Sequence, residues 1–163
     1  MIGYFSRLLP VALKARFRAS SSLVSRLPQR VSLRQIDLNR HMNQAQYPMV
    51  MELGRTDLLL GNDSWASWQA QGLNPVVAEQ HLRYRRELKP WQKYVIDSRL
   101  VGVDGRFLVL EHYLLVGSAV HASGTVKLLV VGENGVLDAD SVEQMGRPWC
   151  ADPLVVENWQ VVS

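Results

Sequence analysis

Three side chains able to move a proton or hold an oxygen stand at alternate positions in DLNRHMNQAQY, residues 37–47: Asp37, Asn39 and His41. The stretch runs directly into a segment whose apolar residues have helical spacing. That order carries chemical meaning. A helix N-terminus aims free N–H groups and the positive end of its dipole at one spot, which suits an oxygen gaining negative charge. A carboxylate just upstream can orient a water as general base or attack directly. Asn39 and His41 are placed to hold the water, the carboxylate or a carbonyl oxygen. The pattern predicts a site that polarises a carbonyl. Simpler roles compete for each residue: Asp37 could serve the helix dipole, Asn39 a turn, His41 a structural hydrogen bond and Asn43 the N-cap.

The elements that must position these groups follow from periodicity. The alternation in VSLRQID predicts a first strand over 31–37. A long helix is expected over about 43–60, with Ala45, Met49, Leu53 and Tyr47, Met51, Leu58 on its buried side and Gly61-Asn62 as its end. A short second helix follows, with Asp63 or Ser64 as N-cap, Trp65 and Trp68 packing on one side, and Gly72 as stop. From there the chain reads as β. A strand over 74–88 turns Val76, Ala78, Leu82, Tyr84 and Leu88 to one face, and Lys89-Pro90 breaks it. Asp104-Gly105 and Gly117-Ser118 supply hairpin turns between three further strands, and Asn134-Gly135 marks the end of the sheet. A short helix over 141–145 lies in the tail.

The order β-α-α-β-β-β-β predicts an α+β fold: a five-stranded antiparallel sheet around one long helix. The organisation reads as a leader over 1–30, a domain over 31–135 and a tail over 136–163. Runs such as FLVLEHYLLV are apolar at both parities, so both sheet faces must be partly covered. One long helix cannot cover both, and a second copy of the chain is the simplest cover, as a homodimer or homotetramer.

The net charge of +3 conceals a division. Seven basic residues and no acidic one precede Asp37, leaving eleven basic against fifteen acidic residues and −4 for the rest. The basicity belongs to the leader, which argues against a nucleic-acid partner, whose basic stripe should lie on the folded surface. Arg7, Lys14, Arg16 and Arg18 interrupt every apolar run well short of the ~20 residues of a membrane span. Three readings of the leader fit: an interfacial segment in contact with a membrane surface, a mitochondrial presequence, or a basic arm without a specific task. The single cysteine, Cys150, excludes an internal disulfide and suits a reducing, cytoplasmic setting.

The motif and element order resemble the hotdog-fold thioesterases, most closely the 4-hydroxybenzoyl-CoA and acyl-CoA type. Their signature, approximately D-x-x-x-H-x-N-N-A-x-Y-x-x-x-x-E, is matched by Asp37, His41, Asn43, Gln44, Ala45, Tyr47 and Glu52. The resemblance spans about 31–131. A narrower similarity is to plant acyl-carrier-protein thioesterases, through Asp37, Asn39, His41 and the strand YRREL with Glu87. Three departures stand out. Gln44 replaces the second Asn, Pro48 stands where Leu is usual, and Leu88 stands where the plant enzymes carry Cys.

The resemblance implies hydrolysis of an acyl-CoA or acyl-carrier-protein thioester without cofactor. Asp37 would be base or nucleophile, and His41 and Asn39 would position water or carbonyl. Backbone N–H groups near Asn43, Gln44 and Ala45 would form the oxyanion site, with Tyr47 and Glu87 beside the substrate. Arg83, Arg85 and Arg86 suit coenzyme A phosphates or a solvated edge. Glu87 on that strand suits an ion pair, as does Glu52 with Arg55. His81, His112 and His121 lack metal-ligand spacing, so no metal is expected. A hydratase on the same fold uses D-x-N-P-x-H. Here no Pro follows Asn39 and the His comes one residue early. A non-catalytic acyl-binding or membrane-associated hotdog protein is the remaining alternative.

Overall fold

The computed structural model describes residues 8–13 and 23–154. Within them β1 (Val24–Arg30), α1 (Gln46–Leu60), α2 (Asp63–Ala70), β2 (Asn74–Tyr84), β3 (Lys93–Asp104), β4 (Phe107–Val116), β5 (Ala119–Gly132), β6 (Gly135–Val136) and α3 (Ala139–Gly146) follow one another. The strands form one antiparallel sheet in the order β1-β3-β4-β5-β2, with the two-residue β6 paired to β5. The sheet packs around α1, so the α+β arrangement expected from the element order, and the hotdog fold that the resemblance implied, is the one observed.

The first strand lies earlier than the alternation in VSLRQID implied. Val24–Arg30 forms β1, while Leu33–Gln35 closes a 3₁₀ turn. The sheet thus begins inside the stretch read as leader. β1 alternates as a strand should, with Ser25 and Leu27 buried and Arg26, Pro28 and Arg30 turned outward or to the rim. Its arginines and Pro28 disguised that alternation. Pro28 is tolerated because β1 is an edge strand with one unpaired side. Residues 8–13 are also helical, and Val11 packs into the cluster that holds Met42 and Tyr47.

α1 begins at Gln46 rather than Asn43, which puts Pro48 in the first helical turn. There its missing N–H has no intrahelical partner to lose. Tyr47, Val50, Met51, Gly54, Asp57 and Leu58 make the buried stripe at helical spacing, whereas Met49, expected inside, is exposed. Gly54 lets the helix settle onto β3: a Cβ there would stand 2.5 Å from Ser98 Oγ and 2.6 Å from Ile96 Cγ2. α2 is capped by Asn62, whose Oδ1 accepts from Ser64 N at 2.8 Å, one residue before the expected cap. Trp68 is buried in the second core cluster with Leu58, Leu110 and Val126.

β2 stops at Tyr84, so the 85–88 segment leaves the sheet earlier than the pattern suggested, and Leu88 is fully buried apart from that strand. As the other edge, β2 keeps Val76, Val77 and Tyr84 exposed. The first hairpin loop is Gly105-Arg106, one residue on from the expected pair, because Asp104 and Phe107 still face each other across it. Gly105 at φ +56° and Gly117 at φ +61° take the left-handed backbone these turns require. In the tail, α3 runs two residues further on the N-terminal side than expected and buries Val142 and Gly146.

Candidate functional site

The loop carrying Asp37 is a tight, anchored turn. Asp37 O accepts from Arg40 N at 3.1 Å, Asp37 N donates to His41 O at 3.1 Å, and Ile36 bridges Met42. Arg40 closes it at φ +61°, an uncommon conformation for a residue with a Cβ. Two further bonds tie the loop down: Asn43 N donates to Gln35 O at 2.8 Å and Met42 N donates to Leu88 O at 2.7 Å. The second joins the loop to the segment that follows β2.

Local geometry orients the carboxylate. Asp37 Oδ1 accepts from the Asn39 backbone N–H at 2.9 Å, an Asx turn made by the side chain with its own loop. His41 Nδ1 lies 3.8 Å from that oxygen but 3.2 Å from Met42 O. A carbonyl only accepts, so the Nδ1 proton points to Met42 and Nε2 is the other ring nitrogen, not engaged there. Asn39 therefore contributes its N–H, while its side chain stands exposed at the rim.

The start of α1 shows which backbone donors are committed. Gln46 N donates to Asn43 O at 2.9 Å, Tyr47 N to Gln44 O at 3.3 Å, and Ala45 N to Asn43 Oδ1 at 2.8 Å. Asn43 is thus an Asx-turn residue ahead of the helix and not the N-cap that the simpler reading made it, since that position is Ala45 and the turn starts two residues earlier; its own N–H is spent on Gln35. Among the described residues, the Gln44 N–H carries no such bond. The expected donor group near Asn43 to Ala45 narrows to this one.

Asp37, Asn39, His41, Gln44, Tyr47 and Glu87 line one cleft of about 450 Å³. Arg85 and Arg86 line it too; Arg83 does not. Tyr47 is almost fully buried and meets the edge of Tyr84 with ring centroids 5.1 Å apart. Burial raises its hydroxyl pKa, a hydrogen bond from the Leu88 backbone opposes this, and the charges of Glu87 and Asp37 add to the rise. Tyr47 is a neutral wall of the cleft. Glu87 is half-exposed and pairs with Lys89 Nζ at 3.4 Å, a neighbour in the segment that follows β2 rather than a partner across the sheet. Ala45, expected at the substrate, is exposed and outside the cleft lining. Glu52 pairs with Arg55 at 4.0 Å, in keeping with the simpler reading.

Sequence reasoning missed His121. Its Nδ1 donates to Glu87 O at 2.9 Å, and its own carbonyl accepts from Arg85 N at 2.9 Å and Arg86 N at 3.0 Å. It grips the wall of the cleft from β5. No local signal exposes this, since the contact spans 34 positions. His112 is a satisfied sheet histidine only in part: Nδ1 meets Ser98 Oγ at 2.7 Å, and Nε2 is buried without a partner. Among the described residues, no three His, Cys, Asp or Glu side chains converge to hold a metal.

Known proteins share this framework. Residues 31–143 match the model of the thioesterase-like superfamily. An L-carnitine dehydrogenase/betainyl-CoA thioesterase of Agrobacterium fabrum is 30% identical over 80 residues, which is 49% of this chain and 16% of that protein. The chain thus spans a small part of that relative. The crystal structure of the probable thioesterase YbaW from Escherichia coli aligns with a TM-score of 0.71 at 20% identity, covering 77% of this chain and 98% of that one. SAV2348 from Staphylococcus aureus, solved in complex with CoA, aligns at 0.62 and 12% identity, over 90% of this chain and 98% of that one. The two solved structures speak for the fold, and the family model, which covers most of the chain, speaks for kinship. The chain belongs to the thioesterase-like superfamily and carries the hotdog fold of its thioester hydrolases.

Proposed function

We propose that the protein hydrolyses an acyl-CoA thioester in the cleft built by Asp37, His41 and Gln44. One observation carries the reading: Asp37 and Gln44, whose N–H is without a bond among the described residues, line the same cleft just ahead of α1. Such a donor lowers the cost of charge on the thioester oxygen, because it is oriented before the reaction begins. Asp37 Oδ1 is held by Asn39 N–H, which leaves Oδ2 to activate water or to attack the carbonyl carbon. In the water route Asp37 takes the proton of the attacking water, the C–S bond breaks, and that proton passes to the departing thiolate. In the direct route the C–S bond breaks as an anhydride forms on Asp37, and water then cleaves the anhydride, freeing the acid, restoring the carboxylate and supplying the proton of the thiol. His41 Nε2, facing away from Met42, holds the attacking water.

Arg85 and Arg86 support coenzyme A over a carrier protein as the thiol, since guanidinium groups match phosphate geometry. The open edge of β2, with Val76, Val77 and Tyr84 exposed, supports assembly with a second copy, because an unpaired apolar edge invites strand pairing. Light scattering of the purified chain reads that mass directly.

The test is thiol release from short, medium, long and aromatic acyl-CoAs, with Asp37→Asn beside the native chain. Turnover that falls by roughly 10²–10⁴ in a folded Asp37→Asn variant is the expected result. Undiminished turnover in that variant would remove Asp37 from the chemistry. Binding of acyl-CoA without turnover by the native chain would overturn the hydrolase reading itself.

A further inference from the structure

Among the described residues, two other than glycine hold a positive φ: Arg40, in the loop of Asp37, and Trp91 at +62°. Trp91 lies in the segment that leads from the wall of the cleft into β3, four positions after Glu87. The backbone there is tied down. Trp91 N donates to Val31 O at 3.0 Å, Val31 N donates to Gln92 O at 3.0 Å, and Lys89 N donates to Gln92 Oε1 at 2.8 Å. A left-handed backbone is costly for a bulky residue and persists only where its surroundings impose it. Here it holds out an indole that is 57% exposed.

The same corner carries unbalanced charge. Arg30, the last residue of β1, stands directly opposite Lys93, the first of β3, and like charges so placed repel. Both residues are exposed, and among the described residues neither has an ion pair, whereas Lys89 is taken by Glu87. A compact anion held between the two cations would remove the repulsion; a diffuse anionic surface needs no such pairing. A flat ring that carries a phosphate suits both features, since the ring stacks on the indole and the phosphate meets the cations. The corner is joined to the cleft by the segment that bears Arg85 and Arg86. We propose that Trp91, Arg30 and Lys93 bind the far end of coenzyme A, with adenine on the indole and the 3′-phosphate between the cations. The inference rests on coenzyme A as the thiol of the substrate, and it gives the nucleotide a subsite of its own, apart from the chemistry at Asp37.

Titration calorimetry of the full chain with coenzyme A and with dephospho-coenzyme A, which lacks the 3′-phosphate, tests this without depending on turnover. The native chain should bind coenzyme A about tenfold more tightly than the dephospho form, the scale of hydrogen bonds to a charged group. Trp91→Ala should raise the Kd of both ligands about tenfold and keep their ratio, as loss of one stacked base requires. Arg30→Gln with Lys93→Gln should instead abolish the ratio and leave the dephospho form bound as before. Trp91→Phe, which keeps a stacking ring, should restore most of the loss. If Trp91→Ala melts early, Trp91→Gly, at ease with φ +62°, supplies the same comparison. Equal binding of the two ligands by the native chain, binding of neither, or variants that bind like the native chain would overturn the proposal. The expected pattern without thioester turnover would uphold the subsite and remove only the hydrolase reading.

Discussion

His121, on β5, donates from Nδ1 to the main-chain oxygen of Glu87 at 2.9 Å, and so the strand paired with β2 holds the wall of the cleft. The bond is one step in a chain of contacts. Leu88, next to Glu87, accepts from Met42 N, and Met42 O accepts from His41 Nδ1. The segment that leaves β2 is thereby clamped between β5 and the loop of Asp37.

This makes His121 a positioning residue. His121→Ala should lower kcat/KM by roughly ten- to a hundredfold, the scale of a small misplacement of reacting groups. His121→Asn, whose side-chain N–H can occupy the place of Nδ1–H, should restore much of that loss. A loss that Asn does not relieve, accompanied by a lower melting temperature, would make the residue merely structural. Kinetics and thermal melts of both variants decide between these.

In the proposed reaction the donor at Gln44 is its backbone N–H, so its side chain should matter little. Gln44→Ala is expected to keep kcat within about threefold, well short of the 10²–10³ that removal of an oxyanion donor costs. A hundredfold fall in kcat for Gln44→Ala would show that the amide side chain, not the N–H, takes part. Steady-state thiol release measures it.

Gly54→Ala sets two effects against each other. Alanine gains about 1 kcal/mol in helix propensity. Its Cβ, however, would stand 2.5 Å from Ser98 Oγ and 2.6 Å from Ile96 Cγ2, both on β3 beneath the helix. Overpacking of that kind costs about 1–3 kcal/mol, so a net loss and a Tm lowered by several degrees are expected. Gly102→Ala, where no atom comes within 4 Å of the added carbon, is the control. Calorimetry of the two variants reads the difference.

His112 makes stability depend on pH. Burial first, and the nearby Arg55 charge second, push its pKa down to about 3 from 6.5. The unfolded chain therefore binds a proton at His112 as pH falls through 6.5, while the folded chain does not until about pH 3. Across that window this one group should erode stability by roughly 1.4 kcal/mol per pH unit at most. His112→Gln should flatten the slope between pH 6.5 and 4, whatever its stability at neutral pH. Urea unfolding of both proteins at several pH values measures the two slopes, and parallel slopes would refute the assignment.

The local parts of this protein are legible in its residues. Asp37, Asn39 and His41 meet because the turn that joins them closes within five positions, through bonds the loop makes with itself. α1 and the hairpins of β3, β4 and β5 show in periodicity and in the glycines at their turns, since both are properties of neighbouring residues. Tertiary structure decided the rest. β1 became a strand because Val24–Arg30 found β3 to pair with, while 31–37, equally alternating, turned away into the loop of Asp37. Met49 lost its place inside because the helix phase is set by the close approach of Gly54 to Ser98. Gln44 emerged as the uncommitted donor once Asn43 and Ala45 were spent on local bonds. Arg85 and Arg86 reached the cleft, and Arg83 did not, because His121 pulls the chain out of β2 after Tyr84. Apart from the local bonds around Gln44, each outcome depends on a contact between residues far apart in the chain, and no spacing within one segment encodes which distant partner will be met.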